Sequence, residues 1–114
     1  MELLQQAGES GSAEAWYWLG RLTFAQDSTD PSAAEYMKRG AAEGNVAAMR
    51  MLARMYRYGR GVEQDHKRAF DLFLQLANLR DPRGSFEVSN AYRAGSVVDQ
   101  EPELAETFFE RALD

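Results

Sequence analysis

Residues 45–80, NVAAMRMLARMYRYGRGVEQDHKRAFDLFLQLANLR, decide the fold, because the stretch that follows them, DPRGSFEVSNAYRAGSVVDQEPELAETFFERALD, repeats them at a shift of 36 without a gap. The shift places Tyr56 on Tyr92, Arg57 on Arg93, Gly59 on Gly95, Val62 on Val98, Gln64 on Gln100 and Ala69 on Ala105. The apolar pairs Leu72-Phe73 and Phe108-Phe109 also coincide, so both copies aim the same positions inward. A period of this length is that of a helix pair, the unit of repeat architectures.

Working outward, the segment from Gly11 joins the pattern at a shift of 33, with Gly11 on Gly44, Ala15 on Ala48, Trp16 on Met49 and Leu19 on Leu52. Its second half matches at 36, with Ala33 on Ala69 and Tyr36-Met37 on Leu72-Phe73. The three missing residues fall near Ala25 to Asp27, where the other copies turn, and a loop tolerates such a deletion. Within each copy apolar residues recur at spacings of three and four, as in Leu52, Met55, Tyr56 or Ala69, Leu72, Phe73, Leu76, which is helical. First helices are expected over 12–26, 46–58 and 82–94, and second helices over 31–43, 66–79 and 102–113. Pro31 and Pro102 suit a first helical turn, and Gly44, Gly59 and Gly95 suit helix ends. The expected fold is an all-α, α/α superhelical solenoid of about three antiparallel helix pairs. A single domain over 1–114 divides into the end of a capping helix (1–10) and repeats at 11–44, 45–80 and 81–114. One helix pair cannot bury its own apolar faces, so the pairs must stack.

Composition narrows the chemistry. With 45% hydrophobic and 11% aromatic residues in 114, a continuous core is affordable and disorder is excluded. Thirteen basic against eighteen acidic residues leave a charge of −5, which opposes broad nucleic-acid or membrane-surface binding. Without cysteine there is no disulfide, thiolate metal centre or cysteine nucleophile. No apolar run approaches the ~20 residues of a membrane span, and the first ten residues lack the regions of a secretory signal. A soluble protein is expected, cytoplasmic as the chain stands or periplasmic had a signal been trimmed.

The second copy, with Ala48, Leu52, Tyr56, Gly59-Arg60-Gly61-Val62, Asp65, Lys67-Arg68-Ala69, Leu72-Phe73 and Ala77, resembles the Sel-one-like repeat, a relative of the tetratricopeptide repeat. The first keeps Ala13-x-Ala15-x-x-x-Leu19-Gly20 and Ala41-Ala42-Glu43-Gly44 without the glycine turn; the third keeps Tyr92, Gly95 and Ala105 with Val97 in place of the second glycine. Small residues (Ala15, Gly20, Ala48, Ala53, Ser89, Ala69, Ala105) are expected where helices approach closely, with Tyr56 and Tyr92 filling the gaps between units. The resemblance implies an adaptor or scaffold that binds protein, in bacterial envelope, secretion, signalling or host-interaction systems. It also implies a concave face built from the first helix of each pair. Carried onto this chain, that face comprises Tyr17, Arg21, Phe24, Arg50, Arg54, Arg57, Tyr58, Phe86, Asn90 and Arg93. Arg50, Arg54 and Arg57 stand at i, i+4 and i+7, hence on one helix face; Arg21 is the repeat equivalent of Arg54, and Arg93 of Arg57. Arginine forks grip carboxylates and stack on aromatic rings, so the expected ligand is an acidic or C-terminal peptide, or an acidic protein surface. The blander alternative is a solvated face whose arginines pair with carboxylates of neighbouring helices.

Other constellations carry less. Gly59-x-Gly61 has no preceding strand and belongs to the repeat rather than to a phosphate loop. His66, the one histidine, reads as a solvated residue at a helix start, and without cysteine a zinc site is not expected. No cofactor and no catalytic residue is therefore assigned. Trp16 occupies a core position, whereas Trp18 lies across the helix and is expected to cover a neighbour or form an exposed contact. Of Phe108 and Phe109 one should pack inward, and uncovered ends allow an end-to-end homodimer. Alternative functions are an immunity-type repeat protein that neutralises a secreted effector, a structural segment of a larger protein and, last, a hydrolase.

Overall fold

The computed structural model describes residues 2–114, and among these it contains helices and no strand. α1 (Glu2–Glu9), α2 (Ala13–Gln26), α3 (Pro31–Ala42) and α4 (Val46–Tyr58) belong to a first compact unit that ends at Asp65. α5 (His66–Asn78), α6 (Pro82–Ala94) and α7 (Pro102–Leu113) form a second, His66–Asp114. In the first unit α1 packs on α2, α2 on α3 and α3 on α4; in the second, α6 packs on both α5 and α7. The all-α repeat fold is as expected, and residues 2–9 of the segment read as the end of a helix are helical; residue 1 lies outside the described residues.

Two residues make each turn from a second helix to the next first helix. The amide of Gly44 donates to Ala41 O at 3.0 Å and that of Asn45 to Gly40 O at 3.0 Å, closing the helix with a left-handed residue at φ 91°. The Asn45 side chain then accepts from the Ala48 amide at 2.8 Å and caps α4. Gly11-Ser12 does the same, with Ser12 accepting from Ala15 N at 3.2 Å. The third turn is Arg80-Asp81: Asp81 N donates to Leu76 O at 2.9 Å, and its carboxylate accepts from Gly84 N at 3.0 Å. Here the left-handed position, φ 65°, is held by an arginine, whose Cβ is crowded in that conformation. It is the one non-glycine residue with positive φ among the described residues.

The longer turns within the later pairs share a clasp. Gly59 and Gly95 end α4 and α6 in the left-handed region, at φ 67° and 66°. Gln64 Nε2 donates to Arg57 O at 2.8 Å, and Gln100 Nε2 to Arg93 O at 2.9 Å. The Asp65 and Glu101 amides donate to Tyr56 O and Tyr92 O, at 2.8 and 3.0 Å. Val97 therefore leaves the clasp intact although Gly61, its equivalent, has φ 72°. The first pair, lacking three residues, uses a tighter turn in which the Asp27 carboxylate accepts from the Thr29 amide at 2.9 Å and its hydroxyl at 2.6 Å. Those two bonds, the hydroxyl's first, hold the Asp27 carboxyl below its usual range.

Small residues govern how close the helices come. A Cβ on Gly84 would stand 2.5 Å from Leu76 Cβ, 2.7 Å from Ala77 N and 2.8 Å from Phe73 O, so α6 lies on the backbone of α5. At the equivalent place in the first unit Gly40 faces Ala48, whose Cβ would be 3.0 Å from an added one. Bulk has moved from one helix to the other. Gly8 similarly receives the Trp16 indole, 2.5 Å from a would-be Cβ. Trp16 is thereby buried and stacks on Tyr36, with ring centroids 5.9 Å apart. In the second unit Tyr92 sits between Phe70, edge-on at 5.8 Å, and Phe108, stacked at 6.0 Å, while Ser89 donates its hydroxyl to Ala105 O at 2.6 Å. Phe108 is the inward member of its pair and Phe109 is half-buried.

Two substitutions test these contacts by urea denaturation. Gly84→Ala forces a methyl into backbone and should cost about 2–3 kcal/mol, lowering Tm by roughly 10 °C. Arg80→Gly removes the left-handed penalty at the third turn and should raise stability by about 1 kcal/mol. An unchanged midpoint in either case would contradict the corresponding contact.

Candidate partner-binding face

The first helices of the pairs carry the expected face residues, and the structure separates them by environment. On α2, Arg21 is exposed and held by its neighbours: its Nη1 donates to Tyr17 Oη at 3.2 Å, and its guanidinium carbon lies 5.8 Å from the Tyr17 ring and 5.6 Å from Trp18. Stacking and the i, i+4 spacing fix that guanidinium in place while leaving its remaining donors open to water. Phe24, one turn on, is half-buried.

On α4, Arg50, Arg54 and Tyr58 are exposed and Arg57 is half-buried. The helix, VAAMRMLARMYRY, holds three arginines and no carboxylate. Its opposite side (Ala48, Met49, Leu52, Ala53, Met55, Tyr56) is buried, so periodicity alone drives the arginines outward. Arg54 has no ion pair, hydrogen bond or ring contact among the described residues. α2 and α4 touch, so Arg21 and Arg54 belong to neighbouring helices of one unit.

On α6, Phe86 is exposed, Asn90 half-buried and Arg93 exposed. Arg93 is turned toward α7: its guanidinium carbon lies 5.7 Å from the Phe109 ring, in a cleft of about 270 Å³ that Glu106 also lines. Arg57 and Arg93 are equivalent in sequence, and Arg93 packs on an aromatic ring of its own pair.

Sequence reasoning assigned no role to Leu22, which is 43% exposed beside Trp18 at 44%. Trp18 donates weakly to Glu14 at 3.4 Å and extends the apolar edge of Arg21. The missing signal was available: Leu22 is equivalent to Met55, which is buried with Gly61 close to its methyl, and the first pair lacks that glycine loop. His66 is exposed, and among the described residues no group of three or more His, Cys, Asp or Glu could hold a metal ion. No described helix is long and apolar enough to cross a membrane.

Comparison with known proteins agrees with this architecture. The family model for the Sel1 repeat matches residues 46–81 and 82–114. A crystal structure of a Sel1 repeat protein from Oxalobacter formigenes superimposes with a TM-score of 0.87 at 26% identity, over 96% of this chain and 85% of that one. A second, c5321, a protective antigen of uropathogenic Escherichia coli strains displaying an SLR fold, gives a TM-score of 0.88 at 28% identity. It is covered over 25% of its length by 98% of this chain, which thus spans about a quarter of it. A search of curated protein sequences finds no match. With two tandem matches over more than half its length and the helix pairs they require, the chain belongs to the Sel1 repeat family.

Proposed function

We propose that this protein binds another polypeptide, and that it does so through the arginine and aromatic face of α2 and α4. Sel1 repeat proteins are commonly scaffolds for protein–protein interaction and typically not enzymes, which sets the class. The observation that carries the finer reading is Arg54, exposed and without a partner among the described residues, on a helix that holds three arginines and no carboxylate in a chain of net charge −5. Cations gathered on one helix face attract an acidic ligand and select against a basic one.

The ligand is an acidic segment or terminus of a partner. Arg54, with its donors unspent, and Arg21, pre-oriented by Tyr17 and Trp18, would each accept a carboxylate in fork geometry. Tyr17, Tyr58 and the half-buried Phe24 would pack the apolar side chains between the acidic ones. Arg50 and Arg57 complete the basic stripe of α4. In the second unit Phe86, Asn90 and Arg93 are proposed as contacts of α6 in their own right, the cleft beside Phe109 receiving a side chain.

A fluorescein-labelled peptide alternating glutamate with leucine is a direct probe, read by anisotropy beside its lysine counterpart. The glutamate peptide should bind saturably, weaken as salt shortens the screening length, and lose at least about tenfold in affinity with Arg21→Glu plus Arg54→Glu while helical circular dichroism is unchanged. Equal affinity for the charge-reversed protein, or preference for the lysine peptide, would remove this face from consideration.

A further inference from the structure

The outward sides of the second helices form columns of equivalent positions, and α7 departs from the others in charge. On α3 Lys38 pairs with Glu35 at 3.4 Å, and on α5 Lys67 pairs with Asp71 at 2.6 Å, so each helix neutralises its own surface. The repeat alignment places Glu110 on Lys38, Glu103 on Lys67, and Thr107 on both carboxylates. Both cations of those pairs have become glutamates, and the carboxylates a threonine whose hydroxyl donates to Glu103 O at 3.0 Å. Neither Glu103 nor Glu110 has an ion pair among the described residues. Leu104, 41% exposed, stands where Ser32 and Arg68 do.

That exposure belongs to the columns and not to the place of α7 in the chain. Lys67 and Lys38 keep 64% and 40% of their side chains exposed although α6 packs on α5 and α4 on α3. At these positions α7 therefore presents an acidic stripe beside an exposed leucine. Glutamates seven residues apart on a helix lie about 10 Å from each other along its axis. The face on α2 and α4 offers groups to match. Arg21 and Arg54 are repeat equivalents on helices that touch, and the axes of packed helices stand about 8–10 Å apart. Beside Arg21, whose guanidinium carbon lies 5.6 Å from the Trp18 ring, Trp18 and Leu22 are exposed to 44% and 43%. Two carboxylates and a leucine on one helix thus complement two arginines and an apolar edge at a similar spacing.

We propose that α7 of a second copy of this chain docks on the α2 and α4 face. Glu103 pairs with Arg21, Leu104 lies on Trp18 and Leu22, and Glu110 pairs with Arg54. The inference rests on the acid-binding reading of that face and names its partner. A single exposed ion pair contributes little, so the contact needs both pairs and the leucine together, and a dissociation constant of about 10–100 µM is expected. The two patches are unlike, which makes the contact heterologous: each copy gives one patch and receives the other.

Sedimentation equilibrium of the full chain from about 10 µM to about 1 mM tests this. The apparent mass should rise with concentration and return to that of a single chain in salt of about 1 M, where the screening length is about 3 Å. Glu103→Lys plus Glu110→Lys installs the residue that Lys67 and Lys38 provide at the equivalent positions, so the fold is kept. That variant and Arg21→Glu plus Arg54→Glu should each sediment as single chains with unchanged helical circular dichroism. Mixed in equal amounts they should associate again, since one supplies an intact α2 and α4 face and the other an intact α7. The proposal is overturned by a native chain of constant mass up to about 1 mM, by self-association that survives either double reversal, or by a mixture that stays monomeric. A chain of constant mass that still binds the glutamate and leucine peptide retires this proposal alone, whereas one that binds neither retires the acid-binding reading with it.

Discussion

Backbone contact between consecutive helices is the constraint on which the rest depends. At Gly84 the two helices approach so closely that a single methyl has no room, and at Gly8 an indole packs against a residue without a side chain. Close approach lets short helices of eight to fourteen residues, each marginal alone, exclude water along their length. Bulk is shared across each seam rather than assigned to one side: Leu76 faces Gly84 where Gly40 faces Ala48. Repeats can therefore diverge in sequence while their helices keep packing, provided both partners change together. Where they do not, as at Ala77 and Ser85, the seam holds a cavity.

The turns allow that spacing. A left-handed residue followed by a capping residue closes one helix and starts the next in two positions, so little chain lies between second and first helices. The longer turns are held by the paired glutamines, which tie the loop to the preceding helix end. With the backbone so determined, the outward face of each first helix is free to vary, and it is there that we propose the partner binds. On α4 that face bears arginines and Tyr58 without a carboxylate, and on α2 an arginine is braced by two aromatic rings.

Much of the fold was legible because repetition doubles every signal. Tyr56 with Tyr92 and Gln64 with Gln100 stand out when the copies are aligned, and each pair proved to make equivalent bonds. The prolines and glycines marked helix ends for reasons of φ alone, although Arg80 in place of a glycine could not be recognised as left-handed without coordinates. Gly8 and Gly84 were passed over, since a glycine inside a helix lowers helix propensity and announces its use only when the opposing atoms are known. Periodicity put the face arginines outward but could not distinguish Arg54, without contacts, from Arg93, laid on Phe109. Reading Trp16, Met49 and Ser85 as one column would have indicated the cavity, because the change in volume falls on a buried position.

Bulk is exchanged across the helix seams, and a double-mutant cycle at Gly40 and Ala48 measures that exchange most directly. A methyl on residue 40 meets the Ala48 methyl at 3.0 Å before anything else. Urea denaturation of Gly40→Ala should show a cost of about 1 kcal/mol in the native background that falls by at least about 0.5 kcal/mol when Ala48→Gly is present, the remainder coming from the Ala13 carbonyl oxygen, 3.2 Å from the added methyl. The same cost in both backgrounds would mean that the two helices do not share that space, and the account would fail.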